Sequence, residues 1–124
     1  MVAEVCWSVL SVRVLEYGVV ISSEQMQNAA LLWEEHLRAD FPADLRGIEL
    51  DGIDLVLLDA ETAGCAHTWI GNGGVLDVER TCTLLRCIED LDRVTPQITN
   101  PSGRQYYERL HRLALLISTA PEAT

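Results

Sequence analysis

The ten residues CAHTWIGNGG, from Cys65 to Gly74, combine the residue types in this chain that most readily support chemistry. A cysteine two positions before a histidine could ligate a metal or act as a nucleophile with its base, and a glycine-rich turn could hold a phosphate. On a helix, however, Cys65 and His67 lie about 200° apart around the axis. The two side chains therefore cannot hold one ion, and we predict no metal site here.

The thiol of Cys65 is also a poor candidate for a nucleophile. It stands among small and apolar residues in an acidic part of the chain, and both surroundings raise the pKa of a thiol. The run GNGG lacks the GxGxxG spacing of a phosphate-binding loop, and Asp77 and Glu79 just after it would repel a phosphate. We interpret the run as a helix end closed by residues that tolerate left-handed backbone. The sequence thus predicts no catalytic residue and no cofactor.

Other ligand patterns are incomplete. The stretch DGIDLVLLDAE lacks the spacing of a calcium-binding EF-hand. Glu108 and His111 form a single ExxH pair, whereas di-iron bundles use two, so we expect a surface contact between these side chains instead. The four cysteines have no CxxC spacing and lie in apolar surroundings, which indicates buried thiols: Cys6, Cys65, Cys82 and Cys87.

Helices must position these residues, and the clearest one is predicted from Ser22 or Ser23 to about Ala39. Ser22 and Gln25 have the spacing of a capping box, and the apolar residues that follow recur with a helical period. Phe41 precedes a proline, which disfavours helical backbone and ends the helix.

Two further helices are predicted from their N-terminal signals. Asp77 is a suitable N-cap for a helix that ends just before Pro96. Asn100 followed by Pro101 begins an amphipathic helix that ends at about Ser118.

Two segments are more ambiguous. Residues 51–70 contain IDLVLL, which alone could be a strand, but their length without proline and their small residues favour a central helix. In residues 3–21 the valines favour strand and the spacing of the polar residues favours helix, so both remain open. We predict an all-α compact bundle of four to five helices, with an N-terminal strand or hairpin as the variant, in one domain over residues 1–124.

The charge of the chain is unevenly distributed. Its formal net charge is −10, and residues 1–79 contain 14 acidic residues and three arginines. All nine basic residues are arginine, and the absence of lysine excludes Schiff-base and P-loop chemistry. The negative field repels nucleic acid and favours basic partners, so we expect no binding of nucleic acid.

Charged residues also interrupt every long apolar run before it reaches the roughly 20 residues of a membrane span. The N-terminus MVAEVCWSV lacks the basic start of a secretory signal. We therefore expect no membrane contact and a cytoplasmic location.

Our leading hypothesis is a small acidic protein that binds and restrains a basic protein partner, as an immunity protein, an antitoxin or an inhibitor subunit does. The acidic residues between positions 34 and 61 would steer the partner, and aromatic residues would anchor it. The predicted contact residues are Trp33, Glu34, Glu35, Phe41, Asp54, Asp59 and Trp69.

Two alternatives belong to other classes. One is a ligand-binding or enzyme domain with a pocket between helices, formed by Cys65, His67, Tyr106 and His111. The other is a self-associating bundle such as a homodimer, since 48% of the residues are apolar. Convergence of those four side chains would favour the pocket, whereas a flat acidic surface would favour a protein partner.

Overall fold

The computed structural model describes residues 19–118, with side chains from residue 24 onward. Four α-helices and one short antiparallel hairpin make up this part of the chain: α1 (Val19–Arg38), β1 (Glu49–Leu50), β2 (Ile53–Asp54), α2 (Leu55–Gly71), α3 (Val78–Val94) and α4 (Pro101–Ser118). The prediction of an all-α bundle is confirmed for these residues. The segment 3–21, for which helix and strand both remained open, lies outside the described residues except for its last three residues, which are helical.

The helix α1 begins earlier than the sequence pattern indicates. Ser22 lies inside the helix, which includes Val19, so the predicted capping box is wrong. The amide of Gln25 instead donates a hydrogen bond to the carbonyl of Leu116 in α4, at 3.0 Å. Gln25 therefore ties two helices together and does not cap the start of one.

The hairpin occupies residues that were predicted to open the central helix. Asp51 and Gly52 form its turn, and both have positive φ angles, 53° and 75°. Two consecutive positive φ angles are the geometry of the tightest hairpin turns, for which an Asp-Gly pair is well suited. Asp54 then caps α2, because its Oδ1 accepts a hydrogen bond from the backbone amide of Leu57 at 3.1 Å.

The predicted N-caps of the last two helices are confirmed. Asp77 accepts a hydrogen bond from the backbone amide of Arg80 at 2.7 Å, which begins α3. Asn100 Oδ1 accepts a hydrogen bond from the backbone amide of Ser102 at 3.0 Å. Pro101 occupies the first position of α4.

The core lies between the four helices, and α4 packs against the other three. The largest fully buried side chains are Tyr107, Leu55, Leu58, Leu84, Leu91, Leu110 and Leu113. The Tyr107 hydroxyl donates to the carbonyl of Leu55 at 2.6 Å, so the one polar atom of this side chain is satisfied within the core. Within residues 19–118, no helix is long and apolar enough to cross a membrane.

Candidate functional site

The CAHTWIGNGG stretch forms the end of α2, and its cysteine and histidine face opposite sides as predicted. Cys65 is buried, whereas His67 is exposed. Burial raises the pKa of the Cys65 thiol to about 11, and the neighbouring Cys87 acts in the same direction. A thiol that remains protonated at neutral pH is not a nucleophile.

The glycine run ends the helix. Gly73 and Gly74 have φ angles of 69° and 95°, and the amide of Gly74 donates to the carbonyl of Trp69 at 2.8 Å. A Cβ at Gly74 would lie 3.4 Å from the Trp69 ring, so the chain passes close over this side chain. Trp69 itself is 4% exposed and belongs to the core, which keeps it away from any surface contact.

The cysteines differ in exposure, which corrects the prediction that all four are buried. Cys65 and Cys87 are buried, but Cys82 on α3 is exposed. Cys82 and Cys87 share a helix and diverge around it, as their spacing of five residues requires. Cys6 lies outside the described residues.

The four side chains of the hypothetical pocket do not converge. Cys65 packs towards the Arg80 carbonyl, with its Sγ at 3.7 Å, and His67 lies on the outside of α2. His111 Nε2 lies 2.7 Å from Asp92 Oδ1 on α3, which replaces the predicted contact with Glu108. In the part of the chain that the structure describes, no three His, Cys, Asp or Glu side chains are arranged to hold a metal ion.

A polar cluster that the sequence analysis did not predict joins three helices: His36 of α1, Asp59 of α2 and Tyr106 of α4. His36 Nε2 lies 2.9 Å from Asp59 Oδ1, and the Tyr106 hydroxyl donates to Asp59 Oδ2 at 3.0 Å. The Tyr106 hydroxyl is also 3.4 Å from His36 Nε2. We call these three residues the polar cluster.

The polar cluster is largely enclosed. His36 is 7% exposed and the Asp59 side chain 18% exposed. Burial, followed by the charge of Asp59, raises the pKa of the Tyr106 hydroxyl, so this group remains a proton donor to the carboxylate. The other ring nitrogen of His36, Nδ1, is buried without a hydrogen-bond partner among the described residues.

Aromatic rings surround the polar cluster on the side of the loop after α1. The Phe41 ring meets the Tyr106 ring edge-on, with centroids 5.5 Å apart, and the Arg46 guanidinium lies 5.1 Å from the centroid of Phe41. An open depression of about 200 Å³ adjoins Tyr106, with Asp40 and Arg109 in its wall. The contacts of the polar cluster link α1, α2 and α4, so the cluster helps to hold these three helices together.

The carboxylates of residues 34–61 separate into two groups. Asp59 belongs to the polar cluster, and Glu61 pairs with Arg86 on α3 at 3.1 Å. The other seven are exposed and lie around the end of α1, the following loop, the hairpin and the start of α2: Glu34, Glu35, Asp40, Asp44, Glu49, Asp51 and Asp54. We call these seven residues the acidic end.

Cations neutralise little of the acidic end. Arg38 lies 3.7 Å from Glu34, and both side chains are well exposed, so this pair contributes little. Among the described residues, the other six carboxylates have no arginine or histidine within 4.0 Å. Three of them accept hydrogen bonds that fix their positions: Asp44 from Asn100 at 3.0 Å, Asp51 from Gln97 at 3.1 Å and Asp54 from the backbone amide of Leu57 at 3.1 Å.

The predicted contact residues thus have different environments. Glu34, Glu35 and Asp54 belong to the acidic end. Trp33 is half-buried on the flank of α1, with its ring centroid 6.0 Å from that of His67. Phe41 is half-buried under Arg46.

The polar cluster had a signal in the sequence. His36 follows Ala29 and Trp33 at helical spacing, so it lies on the buried stripe of its helix, where a polar side chain requires a partner. Asp59 lies between Leu58 and an alanine on an apolar helix.

No family model matches the chain, and no curated protein or solved structure is detectably similar to it.

Proposed function

We propose that this protein binds and restrains a basic protein partner through its acidic end. The observation that carries the proposal is the concentration of seven exposed carboxylates at one end of the bundle. Within the segment from 34 to 61 they are accompanied by two arginines, of which Arg38 lies near Glu34 and Arg46 stacks on Phe41. Carboxylates therefore outnumber arginines in this segment, which favours a negative potential at this end.

Such a potential acts mainly on how fast a partner arrives. Exposed charges interact over about 10 Å at 0.1 M salt, so neighbouring carboxylates act together on an approaching positive surface. Complementary potentials raise the association rate and fix the orientation of the complex, whereas like charges reject other partners. A partner whose own activity depends on its basic surface would be restrained when that surface is covered.

The alternatives receive less support from the geometry. A pocket enzyme needs convergent groups, and Cys65, His67, Tyr106 and His111 lie in separate environments. A homodimer joined through the acidic end would bring like charges together.

The experiment compares two variants, each of which carries three charge reversals and therefore the same change in net charge. Glu34→Lys, Glu35→Lys and Glu49→Lys reverse the acidic end, and the control reverses three exposed glutamates elsewhere: Glu24, Glu79 and Glu108. Asp59 and Asp54 are left unchanged because one belongs to the polar cluster and the other caps α2.

A basic partner is first captured from the source cells with the wild-type chain, and its association rate is then measured against salt concentration. We expect the acidic-end variant to associate at least about 10-fold more slowly at low salt and with a weaker salt dependence, and the control to change little. Equal effects of the two variants, or no captured basic partner, would contradict the proposal.

A further inference from the structure

The helix α2 is apolar on its outer face as well as in the core. Its exposed residues include Val56 and Leu57, at 37% and 56%, followed by Ala60, Gly64 and His67. None of these is an acidic residue or an arginine, whereas a surface helix normally turns a charged face to water. A contiguous exposed apolar face of this kind is typical of an interaction site.

The flank of α1 continues this apolar face. The helices run antiparallel, because His36 meets Asp59 near the start of α2 and Trp33 meets His67 near its end. Leu37 lies one turn after Trp33, towards the start of α2, and is 63% exposed. We call the surface formed by Trp33, Leu37, Val56, Ala60, Gly64 and His67 the apolar strip.

The middle of the apolar strip is shallow and open. Ala60 and Gly64 contribute almost no side chain, and a Cβ built on Gly64 would meet no atom within 4 Å. The strip extends from Val56 to His67, which is about 16 Å along the helix axis. Ala60 and Gly64 allow another backbone to approach closely in the middle of this length.

We propose that the apolar strip receives an amphipathic helix of the basic partner, an inference that rests on the proposed function. The backbone groups within α1 and α2 are already bonded inside each helix, so an added strand would find no ladder to join. A helix instead buries apolar side chains spaced three and four residues apart, which fits a shallow apolar surface that follows two neighbouring helices.

Charge decides which occupant is favoured. Glu34 lies on the α1 side of the apolar strip and Asp54 at the end where α2 begins, so this edge and this end favour positive residues beside the apolar ones. On the α3 side, Glu61 is already paired with Arg86. A second copy of the chain would bring another net charge of −10 to the apolar strip. Residues 1–18 contain Glu4, Glu16 and Arg13, a net charge of −1, and offer no complementary charge either.

The test uses labelled synthetic peptides and the full chain. The probe is a peptide of about 18 residues with leucines at helical spacing and arginines at the other positions, and the control peptide has the same composition with the leucines spread around the helix. Fluorescence anisotropy measures their affinity for the wild type and for two variants, Leu37→Arg and Leu31→Arg. Leu31 is 62% exposed on the same helix but turned about 120° away from Leu37, so it is a matched control.

We expect the wild type to bind the amphipathic peptide more tightly than the shuffled one. Leu37→Arg should weaken that binding at least about 10-fold and Leu31→Arg by less than about 2-fold. Melting temperatures measured alongside confirm that both variants are folded.

Four results would overturn the inference. Equal binding of the two peptides, or equal losses in the two variants, would mean that charge alone holds the peptide, and the proposed function would then survive without the apolar strip. Binding of neither peptide would reject the apolar strip, while the captured partner would still decide the proposed function. Self-association of the wild type in sedimentation that Leu37→Arg abolishes would identify a second copy as the occupant.

Discussion

The acidic end and the polar cluster take their carboxylates from the same stretch of chain but use them in opposite ways. Asp54 and Asp59 are five residues apart, at and just inside the start of α2. Asp54 is exposed and caps the helix, whereas Asp59 is turned inwards to His36 and Tyr106. Asp54 therefore remains available to a partner, whereas Asp59 forms contacts between helices.

The number of acidic residues in a segment therefore does not measure how many of them are available for recognition at the surface. A carboxylate in contact with a histidine and a tyrosine hydroxyl contributes little to the outer field, because its interactions are local and partly enclosed. An exposed carboxylate contributes little to stability but remains available to steer a partner. The two regions should therefore respond differently to the same substitution.

The largest difference is expected between Asp59→Ala and Asp40→Ala. Removing Asp59 takes away the acceptor of the Tyr106 hydroxyl and the carboxylate beside His36 Nε2 in a largely buried site, which should lower the free energy of unfolding by about 2 kcal/mol. Asp40 is exposed and has no cation within 4.0 Å among the described residues, so its loss should change that energy by less than about 0.5 kcal/mol. Urea denaturation at pH 7 measures both values.

Equal stabilities for these two variants would mean that the polar cluster contributes no more than the acidic end. The polar cluster and the acidic end would then differ in geometry but not in their contribution to stability.

A smaller loss is expected from Tyr106→Phe. The ring and its edge-on contact with Phe41 remain, and the hydrogen bond to Asp59 at 3.0 Å is lost. A hydrogen bond to a charged acceptor contributes about 1.5–3 kcal/mol, and access of water to the 18%-exposed Asp59 side chain places the expected loss near the lower end.

The reference for this variant is Tyr107→Phe, which removes the hydroxyl that donates to the Leu55 carbonyl at 2.6 Å. Its acceptor is neutral, so about 1 kcal/mol is expected. A Tyr106→Phe loss below that of Tyr107→Phe in the same urea titrations would show that the charge of Asp59 does not strengthen the bond.

The sequence alone predicts local features of this fold, such as helix caps, better than contacts between distant residues. The N-caps Asp77 and Asn100 act within a few residues, so the sequence predicted them. The polar cluster depends on residues that are 47 and 70 positions apart, and helical periodicity says that each faces inwards without saying which ones meet. The hairpin was missed because the apolar run after Asp51 and Gly52 outweighed the turn signal of that pair.

Alkaline pH should weaken the buried region and leave the acidic end unaffected. Burial raises the pKa of Cys65 from 9.0 to about 11, so the folded state retains a proton that the unfolded state loses between these values. Stability therefore falls as pH rises from 9 towards 11, by about 1 kcal/mol from this thiol at pH 10. The raised pKa values of Tyr106 and Tyr107 act in the same direction at higher pH.

Chemical denaturation at pH 8 and pH 10 measures this loss. The same pair of measurements on a chain carrying Glu35→Gln and Glu49→Gln should give the same difference, since both side chains are exposed and neither contributes to the pKa of the buried thiol. If the free energy of unfolding is the same at pH 8 and pH 10, burial does not raise the pKa of the Cys65 thiol in the folded state.

The smallest effect is expected from neutralising the acidic end itself. Glu35→Gln with Glu49→Gln removes two exposed charges that have no cation within 4.0 Å among the described residues. Repulsion from neighbouring carboxylates should then decrease, which raises the free energy of unfolding by a few tenths of a kcal/mol at low salt. Added salt screens the same repulsion in the wild type, so the gain should disappear above about 0.5 M. A loss of stability at low salt would show instead that these carboxylates make stabilising contacts, and the acidic end would resemble the polar cluster more closely than its exposure suggests.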